Sequence, residues 1–191
     1  MKPSALAQWL DTVCAGFDHT ILGAVHAIRQ SEAAVILTPL ARLFDFLGEG
    51  GICLIILGFL LLIFPRTRRA GASVLLALAL GAICTNVFLK PLTARPRPYD
   101  GVPLLRQWWL ECGGIPENGY SFPSGHSTAA MSAMSALYFA GGRRRAVWFV
   151  FPFLMALSRL YLVVHYPTDV IAGLLIGFAA GAAGAWFFRR D

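Results

Sequence analysis

Between Val170 and Phe188 the sequence carries no charged side chain. Four other runs, Gly50–Phe64, Ala70–Leu89, His126–Ala140 and Ala146–Val164, come close to the same purity. A helix crossing the hydrocarbon core of a bilayer needs about 20 apolar residues. In lipid only helices and closed barrels satisfy their own backbone. The runs lack the dyad alternation of barrel strands, so the expected fold is all-α: a polytopic membrane helical bundle. Gly50–Phe64 and His126–Ala140 are short alone and need flanking residues to span. The chain is 57% hydrophobic and 14% charged, against about 45–50% and about 25% in soluble domains. Small residues recur, as in "GLLIGFAAGAAGAWFF", and let helices approach closely where lipid supplies no hydrophobic drive.

Residues 1–49 read differently. "FDHTILGAVHAIRQ" and "AAVILTPLARLFDFL" are interrupted by Asp18, His19, His26, Arg42 and Asp45. They are expected to form amphipathic helices at the interface or against the bundle. The chain is thus read as one domain, with amphipathic helices over 1–49 and a transmembrane core over 50–191. It has five spanning helices, or six if one N-terminal segment crosses. Asp11 and Asp18 stand where a signal peptide would be apolar. Cys14, Cys53, Cys84 and Cys112 show no zinc spacing, and a Cys14–Cys112 bridge has no support.

The net charge of +6 would suggest nucleic acid in a soluble protein. Here most of the excess is arginine between apolar runs, so no nucleic-acid partner is expected; the partner is the bilayer. Arg66, Arg68 and Arg69, then Arg143, Arg144 and Arg145, then Arg189 and Arg190 follow alternate spans. The positive-inside rule makes that side cytoplasmic. Lys90, Arg95, Arg97 and Arg106 then fall on the outer side, against the rule, and need a reason.

Three stretches meet on that outer face: "KPLTARPRP", "SFPSGHS" and "SRLYLVVHYPTD". Each lies at a helix end. Lys90, Arg97 and Arg159 repel one another unless an anion compensates them, and guanidinium forks match phosphate oxygens. Ser124, Gly125 and His126 open a helix whose first-turn N–H groups suit an anion, and Gly125 permits close approach. Pro167 ends one helix near His165 and starts the next, which is expected to leave the imidazole exposed at a mouth rather than buried between helices. Asp169, in the first turn, is placed to accept the Nδ1 proton, which leaves Nε2 free as a nucleophile. His126 is placed to protonate the leaving oxygen. A two-metal mechanism needs clustered carboxylates. Asp100, Glu111, Glu117 and Asp169 lack ligand-like spacing, so no metal and no cofactor are expected. Trp108 and Trp109 read as an interfacial anchor or part of a lid.

Lys90, six residues, Arg97-Pro98; Pro123-Ser124-Gly125-His126; and Ser158-Arg159, five residues, His165, three residues, Asp169 together resemble the three-part signature of the type 2 phosphatidic acid phosphatase family. That family is related in site chemistry to vanadium haloperoxidases. The resemblance covers about half the chain. It implies a metal-independent membrane lipid phosphatase working through a phosphohistidine, which water then hydrolyses. It makes Lys90, Arg97, Arg159, Ser124 and Gly125 phosphate ligands, His126 the acid, His165 the nucleophile and Asp169 its partner. Arg95 lies outside the signature. The implied substrate is a lipid phosphate presented at the outer face of the plasma membrane. Undecaprenyl diphosphate leads, with phosphatidylglycerophosphate and phosphatidic acid as alternatives. Some small undecaprenyl diphosphate phosphatases carry Asp where this chain has Gly125. A lipid-phosphate transporter would use the same cations without a nucleophile. A phosphatase of soluble substrates, or a haloperoxidase-like oxidant, would need no membrane bundle.

Overall fold

The computed structural model describes residues 3–141 and 143–189; the side chains of 141 and 143–145 lie outside that description, as does Arg190. The described residues are helical, with no strand among them. The helices are α1 (Ala5–Val13), α2 (Ala15–Arg29), α3 (Ala34–Gly48), α4 (Ile52–Ile63), α5 (Arg68–Ala82), the short α6 (Lys90–Thr93) and α7 (Pro98–Gly101), α8 (Pro103–Glu111), α9 (Gly125–Gly141), α10 (Val150–Tyr161) and α11 (Pro167–Phe187). Three helical runs are long and apolar enough to cross a membrane: Ala34–Ile63, Arg68–Gly101 and Pro167–Phe187. Ala146–Tyr161 is a shorter apolar helix.

The core is α9, enclosed by α5, α10 and α11, with α4 against α5. Glycine sets the closest of these contacts. Gly173, Gly177, Gly181 and Gly184 line one face of α11. A Cβ on Gly177 would stand 2.5 Å from the Thr128 carbonyl and 2.8 Å from the Met131 Cβ. Backbone cannot give way there, so the two helices meet at a distance only glycine allows. Buried Ser127, Thr128, Ser132 and Ser135 of α9 continue this small-residue interface, the packing that replaces hydrophobic drive in lipid.

The N-terminal segment departs from the expected two amphipathic helices. It has three, because Ser4 caps an additional α1: its hydroxyl accepts the Ala7 N–H and bonds the Thr93 carbonyl of α6. Two charged residues of these helices face inward, although Asp11, His19 and Arg42 stay exposed. Asp18 is fully buried and Arg29 nearly so, while Trp9, Phe17, Ile28, Val35 and Phe46 are exposed. That is the reverse of a helix floating on water, and it suits a lipid neighbour. Gly50 and Gly51, at φ 57° and 67°, make the left-handed turn between α3 and α4.

The last turns of α5 widen into a π-helical segment over Ile83–Leu89, where the Lys90 N–H reaches the Thr85 carbonyl. Such insertions re-phase the side chains beyond them and recur at functional sites. Lys90 at the start of α6, the starts of α9 and α11 and the end of α10 all meet at one end of the bundle. Arg66, Arg68 and Arg189 lie at the far helix ends. All four cysteines are free.

Candidate active site

Ala94 adopts φ 47° at the end of α6 and turns the chain sharply, so that both Arg95 and Arg97 enter the protein, each 1% exposed. A second strained residue, β-branched Val163 at φ 55°, lies in the link between α10 and α11. Strain of this kind persists only where the surroundings over-determine it. Here it lies two residues before His165.

His165 is buried rather than exposed at a mouth, because Arg97, Ser121 and Asp169 close around it. Its Nε2 lies 3.3 Å from Arg97 Nη1, and its Nδ1 faces Ser121 Oγ at 3.4 Å and Asp169 Oδ2 at 3.6 Å. The last separation is too long for a hydrogen bond. The expected direct His165–Asp169 bond is therefore replaced by an arrangement with Ser121 between them, its hydroxyl 2.5 Å from Asp169 Oδ2. The reason is that Asp169 is already occupied. Oδ2 also accepts the Tyr166 N–H at 2.8 Å, closing the start of α11, and Oδ1 accepts from Arg95 at 2.6 Å. Burial first, then the nearby Arg97 charge, holds the His165 imidazole well below its ordinary pKa, so the ring is neutral near pH 7.

The three signature cations converge on this imidazole. Arg97 is held by the carbonyls of Asn118, Gly119 and Val164. Arg159 is fully buried; its Nε donates to Ser158 Oγ, and its Nη2 has no partner among the described residues. Lys90 Nζ lies 3.7 Å from where a Cβ on Gly125 would stand, the same distance as Asn86 Oδ1. A Cβ at 125 would meet the ammonium at ordinary van der Waals distance. Ser124 does less than expected. Its N–H goes to the Asp169 carbonyl at 3.0 Å, and its Oγ receives the Ser127 hydroxyl and N–H. Among the first-turn amides of α9 this leaves those of Gly125 and His126 without a partner among the described residues. His126 Nε2 is also buried and unpartnered.

Two acidic residues that the spacing argument set aside or passed over complete the site. Glu117 Oε1 lies 2.6 Å from Arg159 Nη1 and Oε2 lies 3.3 Å from Arg97 Nη1. Asp45 Oδ1 lies 2.6 Å from Arg159 Nη1. The anion inferred for these cations is thus supplied, in this state, by the protein. Burial pushes the Glu117 carboxyl up, but the surrounding positive charge, from His165 and His126 once protonated in acid and from Arg159 and Arg97, outweighs this and brings it down to about 2. Asp45, Glu117 and His126 bring ligand-type atoms within 4.8 Å of one another, a proximity absent from their spacing. Ser121 was within reach of the sequence, in "SFPSGHS", but nothing marked it from its neighbours. Trp109 stacks on Tyr99 and Trp108 on His26, with ring centroids 4.4 and 4.2 Å apart. These stacks hold α8 against α7 and α2, and Trp109 lines a cleft with Asp45, Ile115, Glu117, Leu162 and Val164. His19 takes no part.

Known proteins resemble this chain in sequence and in fold. Residues 70–191 match the model of the PAP2 superfamily. The decaprenylphosphoryl-5-phosphoribose phosphatase of Mycobacterium tuberculosis is 35% identical over 149 residues, which is 74% of this chain and 75% of that protein. An undecaprenyl-diphosphatase of Sulfolobus acidocaldarius is 33% identical over 119 residues, covering 62% of this chain and 55% of that one. The crystal structure of a transmembrane PAP2-type phosphatidylglycerolphosphate phosphatase from Bacillus subtilis superposes with a TM-score of 0.68 at 27% identity, over 95% of this chain and 90% of the other. With the family model matched over more than half of its length and relatives named as phosphatases, this helical bundle is that of a phosphoester hydrolase, and the chain belongs to the PAP2 superfamily.

Proposed function

We propose that this chain is an integral membrane phosphatase that removes the terminal phosphate of a polyprenyl-linked lipid phosphate or diphosphate, undecaprenyl diphosphate foremost, at the outer face of the plasma membrane. The observation that carries this reading is the 3.3 Å approach of His165 Nε2 to Arg97, with Arg159 and Lys90 beside it. The phosphoryl group exchanges with the Glu117 carboxylate and takes its cations, Arg159 and Arg97. His165 Nε2 attacks phosphorus, and the bond from phosphorus to the leaving oxygen breaks. His126 gives that oxygen its proton. Ser121 and Asp169 hold the Nδ1 side of the nucleophile, which keeps it in the reactive tautomer. Water, deprotonated by His126, then cleaves the phosphohistidine and releases inorganic phosphate. The amides of Gly125 and His126, with Arg97, Arg159 and Lys90, receive the charge that builds on the equatorial oxygens.

Metal is not required in this scheme. Arg159 Nη1 lies 2.6 Å from both Asp45 and Glu117 and already supplies the positive charge that a divalent ion would bring. The polyprenyl preference is supported by two relatives whose names specify decaprenyl and undecaprenyl substrates. Phosphatidylglycerophosphate, suggested by the B. subtilis neighbour, is the alternative. The outer-face assignment rests on Arg66, Arg68 and Arg69, at the end of the bundle away from the site. With five spans, or six if α3 crosses, the site ends share one side. The test is phosphate release from undecaprenyl diphosphate, phosphatidylglycerophosphate and phosphatidate by purified protein in detergent, with and without EDTA. Fastest turnover of the polyprenyl substrate, unchanged by EDTA, is expected. Faster turnover of a glycerolipid overturns the substrate, and loss of activity in EDTA overturns the metal-free scheme.

A further inference from the structure

Arg95 is a buried arginine beside the site that the phosphatase signature leaves without a task. Unlike Arg159, it has every nitrogen engaged. Nε donates to Asp11 Oδ1 at 2.8 Å, Nη1 to Asp169 Oδ1 at 2.6 Å and Thr168 Oγ1 at 2.8 Å, and Nη2 to Asp18 Oδ2 at 2.9 Å. Its guanidinium carbon lies 4.0 Å from the centre of the Tyr166 ring. A guanidinium so committed has nothing left for a phosphate. What it grips is the back of Asp169, the oxygen turned away from His165 and Ser121. Asp18 is fully buried and fixes the same corner from the other side. Its Oδ1 accepts the Thr168 N–H at 2.9 Å, and its Oδ2 accepts the Thr168 hydroxyl at 2.8 Å as well as Arg95. The first turn of α11, which carries Asp169, is therefore clamped to α2 through side chains.

We infer that Arg95 and Asp18 are positioning residues for the nucleophile: they fix Asp169 so that its Oδ2 is presented to Ser121 and His165, and α2 thereby completes the active site although it lies outside the family-matched residues 70–191. The inference rests on the proposed role of Asp169. The geometry favours arginine specifically. One planar fork serves three carboxylates and a hydroxyl at once, which a lysine ammonium on a flexible stem does not reproduce. Asp18 and Asp11 also balance the guanidinium, which would otherwise be a buried, partly paired charge beside the site.

The experiment is a double-mutant cycle in the full chain, read as kcat and KM with the fastest lipid of the panel. Asp169→Asn alone tests the underlying proposal: full activity there removes the His165–Asp169 scheme whatever Arg95 does. With Asp169→Asn impaired, Arg95→Gln is expected to lower kcat about 10- to 100-fold with KM within about threefold, the scale on which groups that orient a reacting group act. The Arg95→Gln/Asp169→Asn protein is expected to be no slower than Asp169→Asn alone, because both changes remove one function. Arg95→Lys is expected to recover little. A rise in KM with kcat kept would make Arg95 a phosphate ligand, and multiplicative losses in the double variant would separate it from Asp169; either overturns the inference. Should the Arg95 variants not fold, Asp18→Asn decides, since its amide oxygen still accepts the Thr168 N–H. A kcat loss of about 3- to 10-fold at constant KM supports the clamp, and wild-type kcat overturns it.

Discussion

Replacing Glu117 by glutamine should tighten substrate binding. Glu117 bridges Arg159 and Arg97 with its two oxygens, as two oxygens of a phosphate would, so an incoming phosphoryl group must displace it. Its carboxyl is held at about 2 against an ordinary 4.5. At about 1.4 kcal/mol per pH unit, this is at most roughly 3 kcal/mol in favour of the carboxylate, and less near pH 7, where His165 is neutral and Arg159 and Arg97 remain. Part of that returns when the released carboxylate is hydrated, and Asp45 keeps its hold on Arg159. The net penalty on phosphate is then about 1–2 kcal/mol, or roughly 5- to 30-fold in affinity. Glu117→Gln keeps the shape and removes the charge. KM, and the inhibition constant of orthovanadate, are expected to fall by that factor with kcat within about twofold. Because the folded value is depressed, the ion pairs are intact above about 4.5 and lost only as pH falls toward about 2. The difference between variant and wild type should therefore persist from roughly pH 5 to 9. Steady-state phosphate release over a range of lipid and vanadate concentrations measures both constants. A KM that rises in Glu117→Gln would refute the reasoning, since the carboxylate would then be helping to organise Arg97 and Arg159 rather than competing for them.

Other consequences follow from the same geometry. The His165 imidazole is held well below 6.5 by burial and Arg97, so it stays neutral, and its share of stability is lost only under acid; kcat/KM should be flat from about pH 8 to 6, whereas an inflection near 6.5 would mean an ordinary, exposed histidine. Arg159→Lys removes the fork that reaches Asp45 and Glu117 and should lower kcat/KM about 10- to 100-fold; wild-type turnover would show that a point charge suffices. Gly177→Leu places a side chain where even a Cβ meets backbone at 2.5 Å and should destabilise the α9–α11 pair by at least about 1–3 kcal/mol, read as a lower melting temperature in detergent, while the same change at Gly23, which has nothing within 4 Å, should be nearly silent.

Legibility in the sequence followed the reach of each signal. Pro167 two residues after His165, and lysine or arginine at the ends of apolar runs, are local patterns. They placed Lys90, Arg97, Arg159, His165 and Asp169 at helix ends, where the structure gathers them. What escaped depends on contacts between distant segments. Asp18 looks like the polar face of an amphipathic helix until α2 packs with that face inward. Glu117 and Asp45 lie 72 residues apart, and only the fold closes them onto Arg159. Ser121 sits in a quoted motif, yet its place between His165 and Asp169 depends on how Asp169 is held by Arg95 and Tyr166. The left-handed turns at Ala94 and Val163 carry no glycine to announce them. The glycine repeat of α11 was visible as close packing, but its partner, α9, was not.

The nucleophile is the claim on which the rest depends, and it can be caught directly. Protein mixed with substrate labelled with 32P in the terminal phosphate, quenched within milliseconds and digested, should yield an acid-labile, alkali-stable phosphopeptide containing His165. It should accumulate in His126→Ala and be absent from His165→Ala. Label on another residue, or phosphate release with no covalent label even in His126→Ala, would contradict the account.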